Sequence, residues 1–433
     1  MGFKIFNDKT FSPYSLKIDK IKIGDGISIK IGIISDFQLN INSNNTYEKY
    51  YGNNVYKALK IFKNKKIDLL LIVGDITTDG ESINYLYFKK IFYSVYYNIQ
   101  QPIVISLMGN HDYKDMNHTK LENQKIFYDY MNSYPYSHFI INKFNFIFWS
   151  NDKDSLTDSS IEDYIWIKST LEKARKNIYR KGDPIFVLSH FPPMGTVYGS
   201  ENISESKGIF NILKDYPEVI CISGHSHYSL RNIKSIWQGE FTVINTQSLS
   251  FIDIDKFYVN AKDIKKDSVK NDSMGLIAFL TEDKVIFDRI EFSTEEFMEE
   301  SWVIDFPINT SNFKYKFDLR NNSNKPFFND KNGIKIEKKV SKKKIKNYII
   351  FNAAFHEKYV YAYKIILKGI DNNNRNNKEF YYYSDYYKNK KLRKELLQYQ
   401  LPNDLDTGKY EVKIYALDSF GIESIPKYGY IDI

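Results

Sequence analysis

With 433 residues, 42% of them hydrophobic, the chain is too long for one compact core and apolar enough to build two domains. No window approaches the roughly eighteen consecutive apolar residues of a membrane-spanning helix, so a soluble chain is expected. The formal net charge is +8, but Lys331 to Ile433 carries 21 Lys+Arg against 12 Asp+Glu, a net of +9, which leaves −1 for everything before it.

Residues 1–26 read as lead-in strands, and Met1 to Lys20 lacks the apolar core of a secretory signal. A cytoplasmic location follows, or an extracellular one if a signal precedes Met1. From 27 to 295 short apolar runs alternate with helical patterns, the mark of a layered α/β domain. The runs are Ile31 to Ser35, Ile67 to Val73, Ile103 to Leu107, Ile185 to Ser189 and Val219 to Ser223. Near-continuous runs of Ile, Val and Leu fit strands covered on both faces. Helices are predicted over Tyr47 to Asn64, Glu81 to Tyr97, Lys120 to Met131, Ile161 to Lys176 and Ser206 to Asp215. Phe139 to Ser150 and Leu276 to Phe292 read as antiparallel hairpins, which makes room for a second sheet. The single cysteine, Cys221, lies in an apolar run and reads as a buried strand residue. Residues 296–330 turn acidic and then polar, as in a linker or wrapping segment, and Asp371 to Asn377 reads as an exposed loop. The basic part, 331–433, alternates as β-structure does. Its aromatic residues need no ligand: an AT-rich genome inflates Tyr, Phe, Ile, Lys and Asn together.

Each of the five apolar runs ends in polar groups able to ligate a cation. They are Asp36-Phe37-Gln38, Gly74-Asp75, Gly109-Asn110-His111-Asp112, Ser189-His190 and Gly224-His225-Ser226-His227. In layered α/β proteins the carboxyl ends of the strands form the crest where ligands bind. Carboxylate, carboxamide and imidazole suit manganese, iron or zinc, and the lack of thiolates argues against a structural cysteine-rich zinc site. Taken singly each piece is ordinary: Gly-Asp is turn chemistry, and Asn and Asp cap helices. Five in order, each after an apolar run, are not.

This ordered set resembles the calcineurin-like metallophosphoesterase signature, over about Ser28 to His227. The resemblance implies a four-layer α/β/β/α domain with two divalent metal ions. Asp36 and His227 would hold the first metal, Asp75 would bridge both, and Asn110, His190 and His225 would hold the second. His111 would face the leaving group as the acid catalyst, with Asp112 orienting its imidazole. Gln38 departs from the pattern, standing where most members have a histidine ligand to the first metal. A carboxamide oxygen is a weaker, harder donor than an imidazole nitrogen, which biases that site toward manganese. Separately, Leu401 to Gly421 resembles the late strands of fibronectin type III modules, which implies a smaller all-β sandwich.

The function implied is metal-dependent hydrolysis of a phosphate monoester or diester by hydroxide generated between two cations. The stretch from Gly74 to Gly80 is similar to phosphodiesterase-like members, which points to nucleotides. Phe191 to Ser200, with Gly195 and Gly199, reads as a mobile pocket rim, and Tyr113 and Tyr198 as pocket wall or as stacking surfaces for a base or sugar. His118, His138 and His356 read as surface or packing residues. Two alternatives stay open: a non-catalytic metal- or phosphate-binding protein with a degenerate first site, and a protein whose basic C-terminal part attaches it to a polyanion or cell surface.

Overall fold

The structure is a computed structural model and describes residues 11–42, 48–150, 161–201, 203, 207–320, 324–329, 333–341, 344–370 and 377–433. The chain divides into two compact units, each assembled from three stretches: Met1–Leu230, Lys234–Asp253 and Ser268–Phe317 in the first, Arg231–Ile233, Ile254–Asp267 and Asp318–Ile433 in the second.

In chain order the strands of the first unit are β1 (Tyr14–Ile21), β2 (Ile29–Ile34), β3 (Leu69–Val73), β4 (Ile103–Leu107), β5 (Tyr136–Ile141), β6 (Phe144–Trp149) and β7 (Ile185–Ser189). They continue with β8 (Val219–Ser223), β9 (Ile236–Gln238), β10 (Thr242–Asn245), β11 (Met274–Leu280), β12 (Lys284–Glu291), β13 (Glu296–Phe297) and β14 (Trp302–Asp305). One sheet runs β1-β5-β6-β7-β8-β10-β9, and the other β13-β12-β11-β2-β3-β4 with β14 also on β12. The two expected hairpins are β5–β6 and β11–β12, both antiparallel. Neighbours β2, β3 and β4 are parallel, as are β7 and β8, so their carboxyl ends point the same way within each sheet.

Side chains alternate across each strand and sort into three cores. Ile31, Ile33, Leu69, Leu71, Phe146, Phe186, Leu188 and Ile222 meet between the sheets. Leu70 and Ile72 face outward onto helices α1 (Glu48–Lys65) and α2 (Ser82–Tyr96), through Leu59, Phe62 and Phe88. On the opposite side Val187, Val219 and Cys221 pack against Ile167 and Leu171 of helix α3 (Ile161–Lys176). These layers make the α/β/β/α order, and burial pushes the Cys221 thiol far above its usual range. Lys120–Met131 is also helical, closed by a reciprocal cap between Thr119 and Glu122. The stretch expected as a linker, 296–330, carries β13 and β14 instead, and its Trp302, Ile304, Phe306 and Phe313 join the core between the sheets. Alternation over four residues was too short a signal to separate β14 from irregular sequence.

In the second unit β15 (Lys335–Ser341), β16 (Lys344–Asn352) and β19 (Leu396–Gln400) form a three-stranded sheet. A four-stranded sheet has the order β18 (Lys378–Tyr383), β17 (Ala362–Gly369), β20 (Lys409–Leu417), β21 (Lys427–Asp432). Between them Ile349, Phe351, Tyr363, Ile365, Tyr399, Val412 and Ile414 are buried. The loop expected at 371–377 lies outside the described residues except for Asn377, as do Lys342 and Lys343. Among the described residues no helix is long and apolar enough to cross a membrane.

The rings of Phe146 and Phe186 stack at 4.6 Å and 11° between the sheets. Phe186→Ala leaves a cavity there and should cost about 3–5 kcal/mol. Urea denaturation checks this through a lower midpoint of the first transition; an unmoved midpoint would mean that this layer does not limit stability.

Candidate metal centre

The crest residues follow directly from the strands. Asp36 and Gln38 leave β2, Asp75 leaves β3, Asn110 to Asp112 form a 3-10 turn after β4, His190 follows β7, and His225 and His227 follow β8. A strand that ends on a sharp turn must break its extended backbone, and here the break falls on the polar residues themselves. Asp36, Gln38, Asp75, His225 and His227 all have φ between 48° and 65°. Side chains other than glycine seldom adopt this left-handed region, and such strain gathers at functional sites.

The turns are locked by main-chain bonds from Asp36 N to Gly74 O and from Gln38 N to Asp75 O, each 3.0 Å. Glycines make the close approaches. A Cβ on Gly74 would stand 2.6 Å from His190 Nδ1, one on Gly224 would stand 2.6 Å from Asp36 Oδ2, and one on Gly109 would fall onto Asp75 Oδ1.

All seven expected ligands come together in one continuous cluster. Asp36 Oδ1 lies 3.0 Å from His227 Nε2 and 3.8 Å from His190 Nε2, which is 3.3 Å from Asp75 Oδ2. Gln38 Nε2 lies 3.5 Å from His227 Nε2. On the other flank His225 Nδ1 is 2.9 Å from Asn110 Oδ1, and the His225 and His190 rings are 5.3 Å apart. His111 stands at the edge, its Nε2 3.9 Å from Asp75 Oδ2 and its backbone N–H donating to Asp75 Oδ1 at 2.8 Å.

Whether these groups suit a cation is decided by their hydrogen bonds. His190 Nδ1 donates to the carbonyl of Val73 at 2.8 Å, so the neutral ring keeps its lone pair on Nε2. That Nε2 is buried, makes no hydrogen bond, and points to the two carboxylates. Asp36, Asp75 and His190 each offer an atom within 4.8 Å of the others, all buried. His227 repeats the pattern, with Nδ1 3.1 Å from the carbonyl of Phe251 and Nε2 turned to Asp36. Inward lone pairs beside buried carboxylates are the donor set of a divalent cation site.

The two carboxylates draw positive charge to the His190 ring. Burial opposes the charge of His190, but Asp75 and Asp36 outweigh it and raise the imidazole to about 9. Burial likewise opposes the charge of Asp75, yet His190 and His111 hold the carboxyl far below the usual range. His225 goes the other way: burial and the neighbouring His190 push it down to about 3.

Asp112 is not where the resemblance put it. Its carboxylate turns inward and accepts from Thr77 N and Oγ1, Gly109 N and Tyr85 OH at 3.0–3.1 Å, and from Ile76 N at 3.3 Å. It ties the loop after β3 to the loop after β4. Burial, helped by the charge of Asp75, pushes it up to about 6. The carbonyl of Thr78 meets His111 Nδ1 at 2.8 Å instead, and Lys114 Nζ lies 2.8 Å from Nε2. Sequence reasoning also missed the hydroxyls behind Asp36. Ser35 Oγ contacts the Asp36 carboxylate and lies 2.7 Å from Thr246 Oγ1, while Ser248 Oγ donates to the Asp36 carbonyl at 3.1 Å. The rim over Phe191 to Ser200 is braced internally by Thr196 N to Ser200 Oγ at 2.9 Å, and tied to a later turn by Tyr198 N to Lys234 O at 3.0 Å. Tyr113 spends its hydroxyl on the carbonyl of Ser150 at 3.0 Å.

Known proteins resemble the chain over this part of the sequence. The profile described as calcineurin-like phosphoesterase matches residues 29–229. Over 185 residues the chain is 29% identical to the "Probable cyclic nucleotide phosphodiesterase" of Ruthia magnifica subsp. Calyptogena magnifica, a match that covers 41% of this chain and 70% of that protein. Among solved structures it is similar to a dimetal phosphatase from Danio rerio, at 12% identity and a TM-score of 0.43, over 64% of this chain and 99% of the other. It is also similar to a purple acid phosphatase from yellow lupin seeds, at 13% identity and a TM-score of 0.45, over 65% and 55% of the two chains.

Gly109→Ala tests the close packing of the site. The added methyl displaces Asp75 without touching the charge count, and should weaken divalent-cation binding by about 10- to 100-fold, as disturbed supporting contacts do. Calorimetric titration with manganese reads the change, and an unaltered circular dichroism spectrum shows that the fold persists. Full affinity in the variant would place the cation away from Asp75.

Proposed function

We propose that this hydrolase of phosphoester bonds, whose residues 29–229 form a calcineurin-like phosphoesterase domain, cleaves a nucleotide phosphodiester with two divalent cations held by the crest residues. The observation that carries the reading is the buried, unpartnered Nε2 of His190 between Asp36 and Asp75, with His111 left at the open edge of the same cluster.

The residues fit a division of labour. Asp36, Gln38 and His227 lie on one flank, Asn110, His190 and His225 on the other, and Asp75 lies between them next to His190 and His111. Bound cations supply positive charge against the phosphoryl oxygens and lower the pKa of water. His111, its Nδ1–H held by the Thr78 carbonyl, would protonate the departing alkoxide from Nε2 once that atom carries a second proton, and Nε2 faces the Lys114 ammonium at 2.8 Å. The cation of Lys114 beside it favours negative charge developing on the leaving group. The nucleotide assignment draws on the 29%-identical relative and on the Gly74 to Gly80 stretch.

Gln38 supports manganese as the first-flank cation. Its Oε1 accepts from Ser250 Oγ at 3.4 Å while Nε2 faces His227. A half-turn of the amide presents the oxygen on the His227 side and lets Nε2 donate to Ser250 Oγ, so the residue can ligate through a hard oxygen.

For the second unit we propose a fibronectin type III-like sandwich. Three antiparallel strands against four support it, as does Tyr410 at the start of β20, whose hydroxyl donates back to the carbonyl of Asp406 at 2.7 Å in the manner of a tyrosine corner.

The direct test is hydrolysis by manganese-reconstituted protein of p-nitrophenyl phosphate, its bis ester, cyclic nucleotides and nucleoside diphosphate compounds. Turnover of cyclic nucleotides or the bis ester is expected; activity confined to monoesters would overturn the diester assignment. His111→Ala should keep its metal and slow hydrolysis by about 10² to 10⁴. An activated aryl leaving group should lose less rate than an alkyl one, and equal losses would contradict the acid role. Gln38→His should tighten metal binding and reduce the need for added manganese, as a metal titration would show; unchanged affinity would remove Gln38 from the ligand set.

A further inference from the structure

The fully buried carboxylate of Asp112 divides its two oxygens between two parts of the crest. Oδ2 accepts from Gly109 N at 3.0 Å and from Ile76 N at 3.3 Å, on the side of Asp75. Oδ1 takes the rest: Thr77 N and Thr77 Oγ1, both at 3.0 Å, and the hydroxyl of Tyr85 at 3.1 Å. Tyr85 comes from α2, outside the loops that carry the crest residues. Its ring is fully buried and packs edge-on against Phe127 at 6.0 Å and stacked with Tyr130 at 6.3 Å. A phenol anchored in this way delivers its hydroxyl to Asp112 at a fixed point.

Thr77 is the joint through which this clasp reaches His111. While its Oγ1 donates to Asp112, it accepts from Gly80 N at 2.8 Å, which closes a turn around Thr78 and Asp79. The carbonyl of Thr78 inside that turn accepts from His111 Nδ1–H at 2.8 Å. Thr78 is tied on its other side to the turn after β2, from N to the Leu39 carbonyl at 3.1 Å and from Oγ1 to the Gln38 carbonyl at 2.6 Å. With that side fixed, the tilt of the carbonyl follows the position of Thr77 Oγ1. We propose that Tyr85 and Asp112 are positioning residues for His111: they anchor Thr77 Oγ1, and with it the turn whose Thr78 carbonyl holds Nδ1–H and directs Nε2 to the leaving group. The proposal rests on the acid role of His111 given above. Removing the Tyr85 hydroxyl lets Asp112 Oδ1 and Thr77 shift together, since members of one buried network hold each other in place. The Oδ2 donors beside Asp75 keep their partner, so the acid suffers and the metal ligands do not.

Tyr85→Phe keeps the ring and loses only the hydroxyl. Tyr96→Phe, which removes a buried hydroxyl of the same helix 3.5 Å from the Leu59 carbonyl, is the control for a merely structural loss. Ring-nitrogen NMR of the metal-free full chain in mildly alkaline buffer, with His111 assigned by comparison with His111→Ala, reads the tautomer. It should show the Nδ1–H form in the wild type and in Tyr96→Phe, and a shift toward the Nε2–H form in Tyr85→Phe. Manganese-loaded Tyr85→Phe should hydrolyse an alkyl ester about tenfold more slowly than the wild type, lose less on an activated aryl ester, and bind manganese within about twofold of the wild-type affinity. Combining Tyr85→Phe with His111→Ala should be no slower than His111→Ala alone, because residues that act through one group are not additive. The proposal is overturned if Tyr85→Phe keeps the wild-type His111 spectrum, if Tyr96→Phe alters it as much, or if manganese affinity falls along with the rate. It is equally overturned if the combined variant loses the sum of the two effects, or if Tyr85→Phe slows both esters equally while His111→Ala separates them. The ring spectrum needs no turnover: a wild-type chain without hydrolase activity would sink the acid reading, and the tautomer would still decide the positioning.

Discussion

Two carboxylates held out of water within reach of one imidazole are the constraint on which the first unit depends. Asp36 and Asp75 are buried almost completely, and buried like charges are tolerated only if neighbouring groups compensate them. The fold meets this from every side. His190 and His227 bring imidazoles, the backbone N–H groups of His111 and His225 bring fixed donors, and Ser35 brings a hydroxyl. These groups come from five strand ends on two sheets, so the sheets must pack in one register for the charges to be balanced. Core and site are therefore one problem: Phe186 and Leu188 in the central layer set the height at which β7 delivers His190.

Much of this arrangement was legible in the sequence because strands covered on both faces leave continuous apolar runs, and each run here ends on the residue that matters. The α/β layering and the convergence of Asp36, Asp75, Asn110, His190, His225 and His227 could be read for that reason. The supporting shell could not. Ser35 reaches Thr246 across 211 positions, and serines and threonines are too common for either to stand out. Nor does sequence disclose that a non-glycine residue will be forced into left-handed backbone, as at Asp36 and Asp75. Asp112 misled for a related reason. Adjacency to His111 suggested partnership, but in a 3-10 turn consecutive side chains diverge, and its carboxylate went to the loop behind.

Three of the imidazoles are supported by backbone atoms. Val73, Thr78 and Phe251 meet His190, His111 and His227 through carbonyls. Carbonyl partners fix the tautomer of each imidazole without depending on the identity of the residue that offers them.

The interleaving of the two units bears on how such a protein can be made and inherited. Asn232, Tyr258 and Asn260 belong to the second unit although they precede its main body by many residues. Asn260 exchanges bonds of 2.9 and 3.0 Å with the backbone of Tyr383, and Asn232 lies 3.3 Å from the hydroxyl of Tyr386. During synthesis these early residues must wait for the last strands to leave the ribosome. A gene fragment beginning at Asp318 omits them, so recombination that moved only that fragment would leave the all-β sheets without these partners, which ties their inheritance to that of the first unit.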